Sequence, residues 1–255
     1  MNIKVLSLNI WHSQLLDEAL AFLRQQDADI VLLQEAANET DGTLPRSCRT
    51  FTIAQQELGY KHAHFAPAVH IKRPEGNILQ GNAVLSKFPI TVAHPPIFFN
   101  EPFGYFDGSN EQAPFCPRNL QHVEVSTPIG TVHVFNLQGV WDLNGDNDSP
   151  RRRNMSRIIM EQTKGLKRVV VAGDTNAKPT NPAMLAIEKQ LVSVFGNELP
   201  TSFNVRRKDL KKFPGYATAT VDMMYVSPDV KVLAHDCPQV DVSDHLPLTA
   251  TLHIG

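Results

Sequence analysis

The chain opens on an apolar run, and Ile3 to Leu8 predicts a strand. Residues 13–26 then place Leu16, Ala19, Leu20 and Leu23 at helical spacing, with Ser13 as the candidate N-cap. Ile30 to Leu33 is a short continuous apolar run, the mark of a strand buried on both faces. The opening therefore reads strand, helix, strand, and its strand tips carry Asn9 and Glu35.

The second half repeats the plan. Thr131 to Leu137 alternates as a strand and ends at Asn136 and Gln138. Ser149-Pro150 is a helix start, a cap followed by proline at the first helical position, and Met155, Ile158, Ile159 and Leu166 supply its apolar stripe. Val169 to Ala172 is a second buried strand, tipped by Asp174. The repetition is of pattern, not of sequence. Further strands are predicted at Asn82–Leu85, Leu120–Val125, Thr220–Val226, Val230–Ala234 and Leu248–Ile254, and a helix over Pro182–Val192. Strand–helix alternation followed by strand pairs predicts mixed sheets covered by helices. No linker divides the chain, so one domain over residues 1–255 is expected.

The segment from His94 to Asn119 stands apart. Phe98, Phe99, Phe103, Tyr105, Phe106 and Phe115 lie there among prolines and glycines. Such a loop packs on its own domain, or else serves as a substrate lid or stacking surface.

Composition adds limits. Hydrophobic residues make up 42% of the 255, enough for a sizeable core and against disorder. The net charge of -2 does not advertise nucleic-acid binding, although a local patch could suffice. Two basic clusters exist: Arg151, Arg152 and Arg153 at a helix start, and Arg206, Arg207, Lys208, Lys211 and Lys212 in a predicted loop. They are either solvated surface or contacts to a nucleic-acid backbone or polyphosphate. Cys48, Cys116 and Cys237 lie far apart without a C-x-x-C pair, which makes a poor disulfide framework and a poor zinc site and favours thiols in a reducing compartment. Residues 1–10 lack the features of a signal peptide, and no stretch reaches about 18 apolar residues. A soluble, cytoplasmic chain is expected.

The candidate chemistry sits at strand tips. Asn9, Glu35, Gln138, Asp174 with Asn176, and Asp222 end predicted strands, and "VSDHLPL" places Asp244 and His245 directly before the last one. Carboxylates gathered at the ends of buried strands are costly unless a metal or phosphate satisfies them. Hard oxygen donors with few nitrogens and no cysteine cluster suit Mg²⁺ or Mn²⁺. Such a cation offsets charge on a phosphoryl group, and a His–Asp pair can hold an imidazolium beside a phosphate.

In order along the chain, "LSLNIW", "LLQE", "GNAVLSKFPI", Arg118 before a strand, "VAGDTNAKP", "VDMMYVS" and "VSDHLPL" resemble the endonuclease/exonuclease/phosphatase superfamily. These are the metal-dependent phosphodiesterases that include DNase I, exonuclease III, neutral sphingomyelinases and inositol polyphosphate 5-phosphatases. The resemblance spans the whole chain. It implies an α/β fold, a four-layer α/β/β/α sandwich with two mixed sheets packed face to face. It also implies roles. Glu35 would be the principal metal ligand, with Asn9 and Asp244 near it. Asp174 would position the attacking water, and Asn176 would bind it or the phosphate. His245, held by Asp222, would contact the scissile phosphate, as would Arg118. The cofactor would be Mg²⁺ or Mn²⁺, the partner a phosphoester substrate with nucleic acid among the candidates, and the protein a monomer.

Two departures stand out. Where the family commonly carries a histidine after the strand, this chain reads "NLQG", and Gln138 cannot give up a proton. "LQEAANE" also lacks the lysine that follows Q-E in the apurinic endonuclease branch, which argues against abasic-site repair. DNA, RNA, a phospholipid headgroup and a small phosphoester all stay open as substrates. Beside the nuclease-like reading stand a phosphatase or sphingomyelinase-type hydrolase and a binding module that keeps the fold without the chemistry.

Overall fold

The protein is described from a computed structural model covering residues 1–109, 111–142, 145 and 147–255. In chain order its strands are β1 (Asn2–Asn9), β2 (Ile30–Ala37), β3 (His62–Arg73), β4 (Gly76–Ser86), β5 (Ile90–Ala93), β6 (Ile97–Phe98) and β7 (Gly104–Phe106). There follow β8 (Asn119–Thr127), β9 (Gly130–Gln138), β10 (Val169–Asp174), β11 (Val192–Ser193), β12 (Asp222–Val226), β13 (Val230–Asp236) and β14 (Leu248–Ile254). The α-helices are α1 (Leu16–Gln26), α2 (Thr50–Leu58), α3 (Pro150–Thr163) and α4 (Pro182–Ile187).

Two mixed sheets form. One runs β13-β14-β1-β2-β4-β3-β7, the other β11-β12-β10-β9-β8-β5, with β6 also pairing β8. Each is built around a central parallel pair, β1 with β2 and β9 with β10, flanked on both sides by antiparallel neighbours, and β7 closes one edge of the first sheet parallel to β3. The pattern repetition seen in the sequence is thus a repetition of topology, strand–helix–strand in both halves.

The strands' alternation explains the layers. Ile3 and Val5 of β1 and Ile30 and Leu32 of β2 face Val132, Val134, Val170 and Ala172 of the other sheet in one buried cluster. The opposite faces, Leu6, Leu8, Val31 and Leu33, pack on Leu16, Leu20 and Leu23 of α1 and Ile53 of α2. Phe135, Leu137, Val169 and Val171 pack on Met155 and Ile159 of α3 and Met184 of α4. This is the expected α/β/β/α sandwich.

Several boundaries move. Helix α1 begins at Leu16 with no side-chain cap, because Ser13 belongs to a separate turn over Trp11–Ser13. Helix α4 stops at Ile187, since Val192–Ser193 is drawn into pairing with β12. Helix α3 starts as expected, with Ser149 Oγ accepting from the Arg152 amide at 3.3 Å, but ends before Leu166, which still packs on the cluster beneath it. The strand at Thr220–Val226 begins at Asp222. The predicted strand at Asn82–Leu85 is the second half of β4, but its first half, β3 and α2 were not anticipated: β3 is rich in histidine and alanine, and "GNILQG" carries polar residues and glycines that break the alternation.

The segment from His94 to Asn119 is only partly a loop. It contributes β6, β7 and a turn over Ala113–Phe115. Phe99 is buried against the second outer core, and Phe106 packs on Ile71, whereas Phe103, Tyr105 and Phe115 are exposed. No helix of the described residues is long and apolar enough to cross a membrane.

Candidate active site

The polar tips converge because strand period and sheet packing leave them no other direction. In β1, Ile3 and Val5 face inward, and the same period brings Ser7 and Asn9 inward after them. In β9 the inward series runs Val132, Val134, Asn136, Gln138; in β10, Val170, Ala172, Asp174; in β12, Val226, Met224, Asp222. The parallel pairs end side by side, Asn9 opposite Gln34 and Gln138 opposite Asp174. A rim of side chains therefore closes one end of the gap between the sheets.

Glu35 is out of phase with this series and reaches the rim by a bulge. The register of β2 against β4 shifts between Leu33 and Ala36, and Glu35 has a φ of +58°. A bulge of this kind re-aims a side chain. Gly173 answers a different need. With φ at +148°, a β-carbon there would lie 2.0 Å from the Leu137 carbonyl oxygen, so β9 and β10 approach only over glycine.

The contacts around the rim are specific. Glu35 Oε1 accepts from Gln138 Nε2 at 2.6 Å, and Glu35 Oε2 lies 3.2 Å from His12 Nε2. Burial disfavours the Glu35 charge, but His12, Arg118, His245 and a hydrogen bond from Asn9 outweigh it and hold the carboxyl down at about 2. Asp174 Oδ2 accepts from Asn9 Nδ2 at 3.1 Å and from Asn176 Nδ2 at 3.3 Å, and Oδ1 accepts from the Asn176 amide at 2.9 Å. Burial pushes Asp174 up to about 6, with Asp222 and Glu35 adding to the rise and His245 opposing it.

His245 donates from Nδ1 to Asp222 Oδ2 at 2.8 Å, and the same oxygen accepts from Ser202 Oγ at 2.7 Å. Burial alone would push this imidazole down, but Asp222, Asp174 and Asp244 draw it up to about 10. It is an imidazolium at neutral pH, with its second N–H left for a ligand. Donor atoms of Asp174, Asp222 and His245 all lie within 4.8 Å of one another.

The other two residues lie differently. Asp244, only 11% exposed in its side chain, turns Oδ2 to Lys208 Nζ at 2.5 Å. That ammonium also sits 4.5 Å over the Phe203 ring and 4.8 Å over Tyr216. Arg118 is half-buried; its charge reaches Glu35, and its Nε is buried without a protein partner among the described residues.

Asn136 and Gln34 serve the scaffold. Gln34 Nε2 donates to Asn136 Oδ1 at 2.7 Å, and Asn136 Nδ2 donates to the carbonyls of Leu33 and Ala83, both at 3.0 Å. They fasten the two sheets just beneath the rim. The basic clusters are largely committed within the fold. Arg207 pairs with Asp241 through two bonds of 2.7 and 2.6 Å, Arg153 with Asp148 at 2.7 Å, and Arg152 Nη2 donates to the Asn176 carbonyl at 2.8 Å.

Sequence reasoning missed His12 and Ser202 and read Lys208 only as part of a basic cluster; all three lie outside the matched motifs, and the fold brings them to the rim. A cavity of about 370 Å³ also opens beside Asn176. Trp141, Phe203, Phe213 and Tyr216 line it, with Lys212 at its edge.

The donor set suits a hard divalent cation: a buried carboxylate at Glu35, the amide oxygen of Asn9 near it, and no thiol. Opposite it stands an imidazolium able to bind an anion.

Residues 6–245 match the model of the Endonuclease/Exonuclease/phosphatase family. Solved structures share the fold. One from Bacteroides vulgatus described by that family name is 16% identical, with a TM-score of 0.74 and 100% of both chains covered. A mannosyl-6-phosphatase from Bacteroides thetaiotaomicron is 14% identical, with a TM-score of 0.70, covering 99% of this chain and 100% of that one. TDP2 from D. rerio, complexed with a single-strand DNA product, is 15% identical, with a TM-score of 0.69 and 99% of both chains covered. No curated protein sequence matches the chain significantly.

Proposed function

The chain belongs to the endonuclease/exonuclease/phosphatase family, whose members are metal-dependent phosphoester hydrolases, and within it we propose a Mg²⁺- or Mn²⁺-dependent phosphodiesterase of the nuclease type. One observation carries the reading. Buried Asp174, Asp222 and His245 bring donor atoms within 4.8 Å of one another, with Nδ1 of His245 bonded to Asp222, and Glu35 joins the same rim through its bond from Gln138.

The roles follow from the atoms. Asp174 orients the attacking water and takes its proton, and its burial raises its affinity for that proton. Asn9 and Asn176 fix its two oxygens, and Asn176 is placed to hold the water or a phosphoryl oxygen. His245 donates to a non-bridging oxygen and is kept charged by Asp222. Arg118 adds positive charge near Glu35. A divalent cation bound at Glu35, with Asn9 near it and Asp244 on the same wall, supplies charge stabilisation for the phosphoryl group. Gln138 holds the Glu35 carboxylate and performs no proton transfer.

The cavity beside Asn176 supports a second reading. Its aromatic walls suit a compact ring-bearing group next to the phosphate, as a phosphatase or a hydrolase of small or lipid phosphoesters would need. With Cys48, Cys116 and Cys237 all free, a monomer in the reducing cytoplasm is the proposed setting.

The test is a hydrolysis panel with and without Mg²⁺ or Mn²⁺: a chromogenic phosphodiester, plasmid DNA, RNA, sphingomyelin and sugar or inositol phosphates. Metal-dependent cleavage of diesters and nucleic acid supports the first reading. Cleavage confined to the small or lipid esters supports the second. No turnover on any member, with ligand binding retained, would favour a binding module.

A further inference from the structure

His12 stands against the carboxylate assigned above to the cation. Its Nδ1 is 2.7 Å from Gln80 Oε1, and Arg73 Nη2 is 3.2 Å from the same atom. A guanidinium can only donate, so that atom is the amide oxygen. His12 Nδ1 must then carry the hydrogen that bonds it. In the neutral ring Nε2 is left with a lone pair. That lone pair faces Glu35 Oε2 at 3.2 Å, a second acceptor.

Two acceptors so placed repel unless a proton or a metal cation lies between them. A cation bonded to both meets the need. Ligands about 2.1–2.2 Å from an octahedral ion and cis to each other stand roughly 3 Å apart, close to the observed separation. A hydrogen bond on the far nitrogen is the usual companion of a metal-bound imidazole.

The backbone beneath the ring points the same way. Trp11, His12 and Ser13 are three successive non-glycine residues with positive φ, at 50°, 50° and 64°. Asn9 Oδ1 accepts from the Trp11 amide at 3.0 Å, and Ser13 Oγ bonds Thr50 Oγ1. Strain of this kind persists only where the surroundings impose it, and it clusters at functional sites. Its effect here is to bring the His12 ring to Glu35.

We propose that His12 Nε2 is a ligand of the divalent cation held at Glu35, and that this nitrogen biases the site toward Mn²⁺ over Mg²⁺. Mg²⁺ favours oxygen donors, whereas imidazole binds the transition ions more readily. The proposal rests on the Glu35 reading of the site. It makes the lost family histidine at position 138 less telling, because an imidazole enters the same centre from another loop.

Pulsed electron paramagnetic resonance of the Mn²⁺-loaded wild-type protein tests it directly. The expected signal is a ¹⁴N coupling from a directly bound imidazole. His245→Gln should keep that signal. His12→Asn, a residue that tolerates positive φ, should lose it. In calorimetry His12→Asn should bind Mn²⁺ about tenfold more weakly, the low end for a lost supporting contact, while its Mg²⁺ affinity changes less than about threefold. Mn²⁺ that binds wild type and is lost in Glu35→Gln, yet shows no nitrogen coupling, overturns this inference and leaves the Glu35 reading intact. So does a coupling that vanishes with His245→Gln instead. Mn²⁺ that fails to bind wild type overturns both.

Discussion

Gln138 Nε2 donates to Glu35 Oε1 across 2.6 Å, and the two residues come from different sheets, the tip of β9 and the bulge of β2. The bond closes the rim and fixes the carboxylate that faces His12 on its other oxygen. An amide in this place can orient a ligand but cannot protonate a leaving group. Esters of acidic leaving groups, such as nitrophenol, should therefore be cleaved disproportionately well compared with alkyl esters. Gln138→His should narrow that gap. A series of phosphodiesters graded by leaving-group acidity, run on both proteins where chemistry limits the rate, measures it. An equally shallow dependence in both would mean that another acid already serves.

Asp174→Asn and His245→Ala should each lower turnover by about 10²-fold or more, the scale of a positioned acid–base group. Thermal stability should change far less. Steady-state rates at saturating metal, with melting curves of the same preparations, check this. Near-wild-type turnover in either variant would contradict the assigned roles.

The raised proton affinity of Asp174 has two signed consequences. As a base Asp174 must be ionised, so turnover of the metal-loaded enzyme should fall toward low pH. For stability the sign is opposite. The folded value lies above the ordinary 3.8, so the protonated carboxyl favours the fold at low pH, and that contribution is lost as pH rises through about 6. In chelator-treated protein, the melting-temperature difference between Asp174→Asn and wild type should move in favour of the variant from pH 4 to pH 8. A flat difference across that range would contradict the shift.

Much of this centre was legible in the sequence, for a physical reason. Asn9, Gln138, Asp174 and Asp222 end strands whose buried positions are read from apolar runs, so their direction follows from strand period. His245 follows from its place beside the last strand. Glu35 was legible as a strand tip, but strand period alone turns it away from the gap, and only its bulge brings it to the rim. His12 was not found. Its position depends on a left-handed turn that no propensity signals, and on a partner, Gln80, from a hairpin the pattern did not reveal. Ser13 was misread as a helix cap for the same reason. Asn136 looked like a rim residue but lies one inward step too early, so it fastens the sheets instead. The basic loop looked like free charge, yet Arg207 and Lys208 answer Asp241 and Asp244, which lie far off in the sequence.

The Lys208–Asp244 pair should be costly to break. Both side chains are nearly buried, at 13% and 11% exposure. Lys208→Met leaves Asp244 uncompensated and should destabilise the protein by about 3 kcal/mol. Lys208→Met combined with Asp244→Asn should recover a good part of that loss. Denaturant unfolding of the two single variants and the double variant gives the coupling. Strictly additive effects would show that the pair contributes nothing.

The account stands or falls on the metal at Glu35. The measurement is a calorimetric titration of metal-free wild type and Glu35→Gln with Mn²⁺, with the fold of each verified by circular dichroism. The expected result is saturable binding by wild type and at least tenfold weaker binding by the folded variant. Equal affinity in the two proteins would remove Glu35 from the metal site and contradict the account.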